Sequence, residues 1–170
     1  MRKFDKGWRS QATSAEDAIE HIKSGMKVFV HGAAATPTPL LNALCRRPDL
    51  ENVNLYHLHL AGCIPFADLE NPSGVFSISL FTGPAMRKPI QEGRADFMPI
   101  FLSDIPGLFT SGRVQLDVAL VQLSPPDRQG FCTLGTSVDT AKPAADSARM
   151  VIAEINEQMP RTHGNTVVSF

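Results

Sequence analysis

Residues 27–47 read KVFVHGAAATPTPLLNALCRR, and their order decides the fold class. Lys27 to His31 is a β-branched and aromatic run of strand character that leads straight into four small residues, Gly32, Ala33, Ala34 and Ala35. Thr36 and Pro37 stand where an N-cap and a first helical residue belong, so a helix is expected to run on to Arg47. A strand passing through a tight turn into a helix is how a crossover begins, and crossovers join parallel strands.

Outward from this unit the alternation continues. Upstream, Thr13, Ser14 and Glu16 form a capping-box pattern ahead of Ala15, Ala18, Ile19 and Ile22, which share one helix face, and Gly25 ends that helix. Downstream, residues 53–60, 75–81, 97–100, 118–123 and 150–155 read as strands, with a helix expected over 139–148. Pro84 and Pro89 restrict any helix between Gly83 and Gly93 to a short or kinked one. Strands alternating with helices, several of them apolar at consecutive positions, predict an α/β fold: an open, mostly parallel sheet with helices on both faces. At 170 residues and 43% hydrophobic content this is expected to be one domain spanning residues 1–170.

Sixteen basic against seventeen acidic side chains give a formal charge of -1, so no global field favours nucleic acid or an anionic membrane. Cys45, Cys63 and Cys132 are odd in number and far apart, which argues against a disulfide framework or a structural zinc site and fits a reducing compartment. The opening MRKFDKGW has no apolar core of a leader, and no apolar run approaches the roughly 20 residues that span a bilayer. A cytoplasmic protein is expected.

Several residues could carry chemistry. The turn Gly32–Ala33–Ala34–Ala35–Thr36 sets backbone amides and a helix amino terminus at a strand's carboxyl end, which would suit a carboxylate or phosphate. The same small residues would also serve simply to pack a helix on the sheet. Met86, Arg87 and Lys88 follow a strand, and Arg87 could pair with a substrate carboxylate or remain a solvated surface cation. His57 and His59, two apart on a strand, would share a face, but no third ligand cluster accompanies them and no metal is expected. Ser124 and Cys132 lie in no motif that would hold a base beside them, so neither is expected to act as a nucleophile. Glu154 interrupts the apolar run MVIAEI, and Arg161 is the partner expected for it.

Two longer stretches are more specific than any of these parts: residues 124–139, SPPDRQGFCTLGTSVD, and residues 151–164, VIAEINEQMPRTHG. Together they resemble the amino-terminal half of the acetyl-CoA hydrolase/transferase family, the carboxylate CoA-transferases that include 4-hydroxybutyrate, succinate and acetate CoA-transferases. The resemblance implies a CoA-transferase, with coenzyme A as co-substrate and a small carboxylate and an acyl-CoA as the exchanging partners. It also implies that a catalytic glutamate lies in a carboxyl-terminal half outside this chain, so residues 1–170 alone are expected to be inactive. None of the seven glutamates present lies in the Gly-rich sequence expected around that nucleophile. By the same resemblance Gly32, Ala33, Ala34, Thr36, Met86, Arg87, Thr136 and Ser137 are the substrate-binding candidates, with Asp139 beside them. An acyl-CoA hydrolase and a non-catalytic module that keeps the fold are the alternatives. A face left uncovered by the missing half predicts a homo-oligomer or a dye-binding domain.

Overall fold

The structure, a computed structural model, describes residues 7–67 and 73–169. Six strands form one parallel sheet: β1 (Lys27–Val30), β2 (Val53–His57), β3 (Val75–Ser79), β4 (Ala95–Phe97), β5 (Val118–Leu123) and β7 (Met150–Ile155), in the order β4-β3-β2-β1-β5-β7. A separate antiparallel ribbon pairs β6 (Phe131–Thr133) with β8 (Val167–Ser169). The helices are α1 (Ala15–Ile19), α2 (Thr38–Cys45), α3 (Pro84–Gln91), α4 (Ile105–Thr110) and α5 (Ala141–Ser147).

The two-residue period of the central strands explains why both faces are covered. Val28, Val30, Val118 and Leu120 enter one core with Ile19 of α1, Leu41 and Leu44 of α2 and Met86 of α3. Phe29, Ala119 and Val121 point the other way, into a second core with Ile105 and Phe109 of α4 and Ala141 and Ala144 of α5. All six residues of β5 are therefore buried, which is why its sequence is an unbroken apolar run apart from Gln122. The chain walks outward from β1 to β4, then returns to the far side of β1 for β5 and β7. Because parallel crossovers keep one hand, that reversal places α2 and α3 on one face and α4 and α5 on the other.

Local chemistry departs from the sequence reading in several places, and β3 and α2 also stop two residues short of the expected 81 and Arg47. Ser14 does cap α1, accepting from Asp17 N at 3.0 Å, but the third helical residue is Asp17, whose carboxylate accepts from Thr13 Oγ1 at 2.9 Å. Glu16 instead turns outward to Arg46 at 2.6 Å. β2 stops at His57, whose ring takes the carbonyl of Leu58, so the expected strand to Leu60 is cut short. β4 is Ala95–Phe97 rather than 97–100, because Met98 N makes the last bond to Ser79 O and Pro99 has no amide to continue. The stretch IPGLFT of α4 gave no helical signal, since Pro106 and Gly107 hide it; Pro106 occupies the first turn, where a missing amide is harmless. No helix among the described residues is long and apolar enough to cross a membrane.

Candidate functional site

The reversal between β1 and β5 is a topological switch point, and open α/β sheets bind ligands in the crevice outside the strand carboxyl ends at such a point. The two segments that leave the sheet there are Gly32–Thr36 after β1 and 124–139 after β5. His31 holds them together. Its ring is fully buried, Nδ1 accepts from Gln122 N at 3.2 Å, and Nε2 therefore carries the proton and donates to Ser137 O at 2.5 Å. Burial pulls the His31 pKa below the usual imidazole value, against the raising effect of the Ser137 carbonyl and of Asp139. This histidine was not singled out from sequence; its signal was its place at the last position of the strand run, directly before the turn.

The turn itself is drawn tightly against β2. Ala33, with φ of 50°, donates its amide to His59 O at 2.9 Å, and a Cβ on Gly32 would stand 2.7 Å from that same oxygen. Only glycine permits this approach. Thr36 is not the N-cap: its hydroxyl donates to Ala33 O at 2.9 Å and accepts Ala61 N at 3.1 Å, and α2 starts later, at Thr38, behind Pro37. The amides of Ala35 and Thr36 bond back to Gly32 O and Ala33 O. Three of the amides expected to face a ligand are thus used within the protein, and Ala34 is the exposed tip of the turn.

The segment after β5 is equally bonded. Ser124 Oγ is buried, accepts Thr133 N at 3.0 Å and meets Thr133 Oγ1 at 3.1 Å, which leaves no free hydroxyl for attack. Asp127 accepts the amides of Gln129 (2.9 Å) and Phe131 (3.0 Å), and Arg161 bonds it at 2.6 Å while also reaching Phe131 O at 2.8 Å. Arg161 therefore pairs with Asp127 and not with Glu154, because the β6–β8 ribbon carries it over the SPPD loop. Glu154 accepts from Gln122 Nε2 at 3.0 Å, and burial pushes its carboxyl above the ordinary value. Gly135, at φ +66°, lets Met159 pack where a Cβ would be 2.0 Å from its sulfur. Beyond it Thr136 is exposed, Ser137 buried, and Asp139 Oδ1 accepts Ala141 N at 3.0 Å at the start of α5.

Gly32, Ala33, Ala34 and Thr36 lie on one of the two segments that leave the sheet at the switch point, and Thr136 and Ser137 lie on the other, joined to it by the bond from His31 to Ser137 O. Met86 and Arg87 sit on α3, which leads from β3 to β4, with Met86 buried in the same core as Val30 and Leu40 and Arg87 exposed. That helix begins behind Gly83, where a Cβ would stand 3.3 Å from His59 Cβ, on the residue whose carbonyl takes the Ala33 amide. His57 and His59 stand in different surroundings. His57 is fully buried, donating from Nδ1 to Leu58 O and accepting Ser77 Oγ at Nε2 (2.7 Å), with its pKa lowered by burial to about 4. His59 lies past the strand end, exposed, with its ring edge-on to Phe81 at 5.8 Å. Among the described residues no three His, Cys, Asp or Glu side chains cluster as metal ligands would. Cys132 and Cys45 are buried with thiols pushed up to about 11 by burial, whereas Cys63 is exposed. Phe81, Phe97, Phe101 and Leu102 follow or end β3 and β4 on the same carboxyl side of the sheet, and Phe101 is 79% exposed.

A doubly wound α/β domain with a bonded crevice at its switch point defines a fold class that many ligand-binding enzymes share. The family is narrower: the chain belongs to the acetyl-CoA hydrolase/transferase N-terminal domain family, whose model matches residues 1–169. It is 45% identical over 163 residues to a succinyl-CoA:acetate/propanoyl-CoA:succinate CoA transferase of Fasciola hepatica, covering 94% of this chain and 34% of that protein. It is 34% identical to a 4-hydroxybutyrate coenzyme A transferase of Clostridium kluyveri, over 97% of this chain and 39% of that one. Among solved structures, a 4-hydroxybutyrate CoA-transferase from Porphyromonas gingivalis superimposes with a TM-score of 0.67 at 30% identity, over 95% of this chain and 38% of its own. RipA from Yersinia pestis superimposes at 0.84 with 26% identity, over 92% of this chain and 39% of its own. The chain thus spans between a third and two fifths of the length of these relatives.

Proposed function

We propose that this chain is the amino-terminal part of a cytoplasmic CoA-transferase that moves CoA between an acyl-CoA and a small carboxylate such as acetate, succinate or 4-hydroxybutyrate. A glutamate from the carboxyl-terminal part attacks the acyl thioester carbonyl, forming a mixed anhydride and releasing CoA thiolate. The thiolate then attacks the glutamyl carbonyl, freeing the first carboxylate and leaving a glutamyl-CoA thioester, and the acceptor carboxylate runs the same two steps in reverse. The contribution of this chain is one wall of the cleft, formed by the Gly32–Thr36 turn and the Thr136–Asp139 segment.

The observation that supports the reading is the His31 bridge, a buried ring that fixes these two segments against each other. A preset wall of that kind suits a reaction in which oxyanions form and collapse in a water-poor cleft. The test is exchange of CoA between acetyl-CoA or succinyl-CoA and labelled carboxylates by the full-length protein. Turnover is expected there and not from residues 1–170 alone. Release of free CoA without a carboxylate acceptor would favour an acyl-CoA hydrolase, and no turnover with either would favour a non-catalytic module. The exposed aromatics beside β3 and β4 support self-association of the isolated domain, which sedimentation velocity measures.

A further inference from the structure

The sheet has two edges, and they are finished differently. At one edge β4 is three residues long, carries Asp96 at its centre, and satisfies its outward-facing Phe97 amide with Asp96 Oδ1 at 2.7 Å. A short strand and an edge charge are how sheets avoid pairing with further chains. The other edge, β7, uses neither device over its six residues MVIAEI beyond the single acid Glu154.

Hydrogen-bond parity shows which groups of β7 are left over. Met150 N donates to Asp117 O (3.1 Å) and Asn156 N to Leu123 O (2.9 Å), so the even-numbered amides face β5. The amides of Val151, Ala153 and Ile155 therefore point away from the sheet. Along this strand runs a groove of about 640 Å³, lined by all six β7 residues and walled by apolar side chains that include Trp8, Leu40 and Leu123. Glu154 lines it too, with Oε2 buried and without a partner among the described residues. A buried carboxylate oxygen of this kind calls for a donor.

The occupant is indicated by where the chain leaves. β8 ends at Ser169, and Val168 and Ser169 are themselves part of the groove wall, while the relatives run on for more than as many residues again. We propose that in the full-length protein an extended segment from beyond Phe170 lies in this groove as an added strand beside β7, apolar on both faces and presenting a hydrogen-bond donor to Glu154. Such a strand would satisfy the three outward amides, cover the groove and extend both cores.

Amide hydrogen exchange read residue by residue tests this, on residues 1–170 and on the full-length protein from the same gene. The amides of Val151, Ala153 and Ile155 are expected to exchange freely in the shorter chain and at least about 100-fold more slowly in the full-length one, while those of Ile152 and Glu154 are slow in both. Equal, fast exchange of the three odd amides in both proteins would overturn the proposal. So would their protection in the shorter chain if it fades on dilution, because a second copy would then be the occupant. If the shorter chain does not hold its fold, the full-length protein decides alone: slow odd amides support the added strand, and solvent-like rates overturn it. None of these outcomes depends on whether the protein transfers CoA.

Discussion

Two parts of the sheet's carboxyl side stand in contrast. At the β1–β5 crevice the chain bonds to itself: the His31 ring bridges two loops, Thr36 ties the turn to Ala61, and Asp127 gathers two amides and Arg161. At the β3–β4 rim, Phe81, Phe97, Phe101 and Leu102 stand exposed. The crevice is complete by itself, while the rim has the composition of a surface meant to be covered.

Four experiments probe that contrast. The largest effect is expected from Arg161→Met, which removes the guanidinium paired with the buried Asp127 carboxylate and should cost about 3–5 kcal/mol in chemical denaturation. His31→Leu comes next. It leaves the Gln122 amide and the Ser137 carbonyl without partners, at about 1–3 kcal/mol each where solvent cannot replace them. In the full-length protein the same change should slow the proposed CoA exchange, by loosening the loop that carries Thr136 and Ser137.

Acid is the third. Unfolded, His57 protonates near the ordinary imidazole value of 6.5, whereas in the fold it does so only near 4, so between these values the unfolded state binds more protons. Stability from this group is therefore whole above pH 6.5, falls as pH drops toward 4 and is fully lost below it. At about 1.4 kcal/mol per unit the loss is about 3 kcal/mol, with His31 adding in the same direction. Thermal melts between pH 7 and 4 should show it, and a His57→Gln variant should flatten the curve. The smallest effect on stability, under about 0.5 kcal/mol, is expected from Phe101→Ser on the rim. That change should nonetheless reduce hydrophobic-dye fluorescence and self-association of residues 1–170. If it instead unfolds the domain, the rim is core and the contrast fails.

Much of this fold was legible because burial on both faces writes itself into sequence. β5 and β7 were read to the residue, since VALVQL and MVIAEI have no polar alternation to blur their ends. The residues of the crevice were legible as segments, not as contacts. Thr36 has the right chemistry for an N-cap, and only the position of Ala61 shows that its hydroxyl is committed elsewhere. Arg161 was paired with Glu154 because both lie in one stretch, but the β6–β8 ribbon, with strands three residues long, gave no signal and moves the guanidinium to Asp127. Met86 has the chain position of a cleft residue and the burial of a core residue, which only packing reveals.

The uneven burial of the three cysteines makes the domain chemically addressable. Cys45 and Cys132 are enclosed and hold their protons to about pH 11, so at neutral pH almost no thiolate is present at either and no reagent reaches them. Cys63 is open to solvent on the loop that follows β2, a few residues past His59 and the Gly32 turn it touches. Brief treatment with an iodoacetamide dye should therefore add a single label, placed by the fold itself beyond the carboxyl end of β2. Attached there, the dye would turn the arrival of the carboxyl-terminal part, or of a substrate, into a change of colour or intensity without any engineered cysteine.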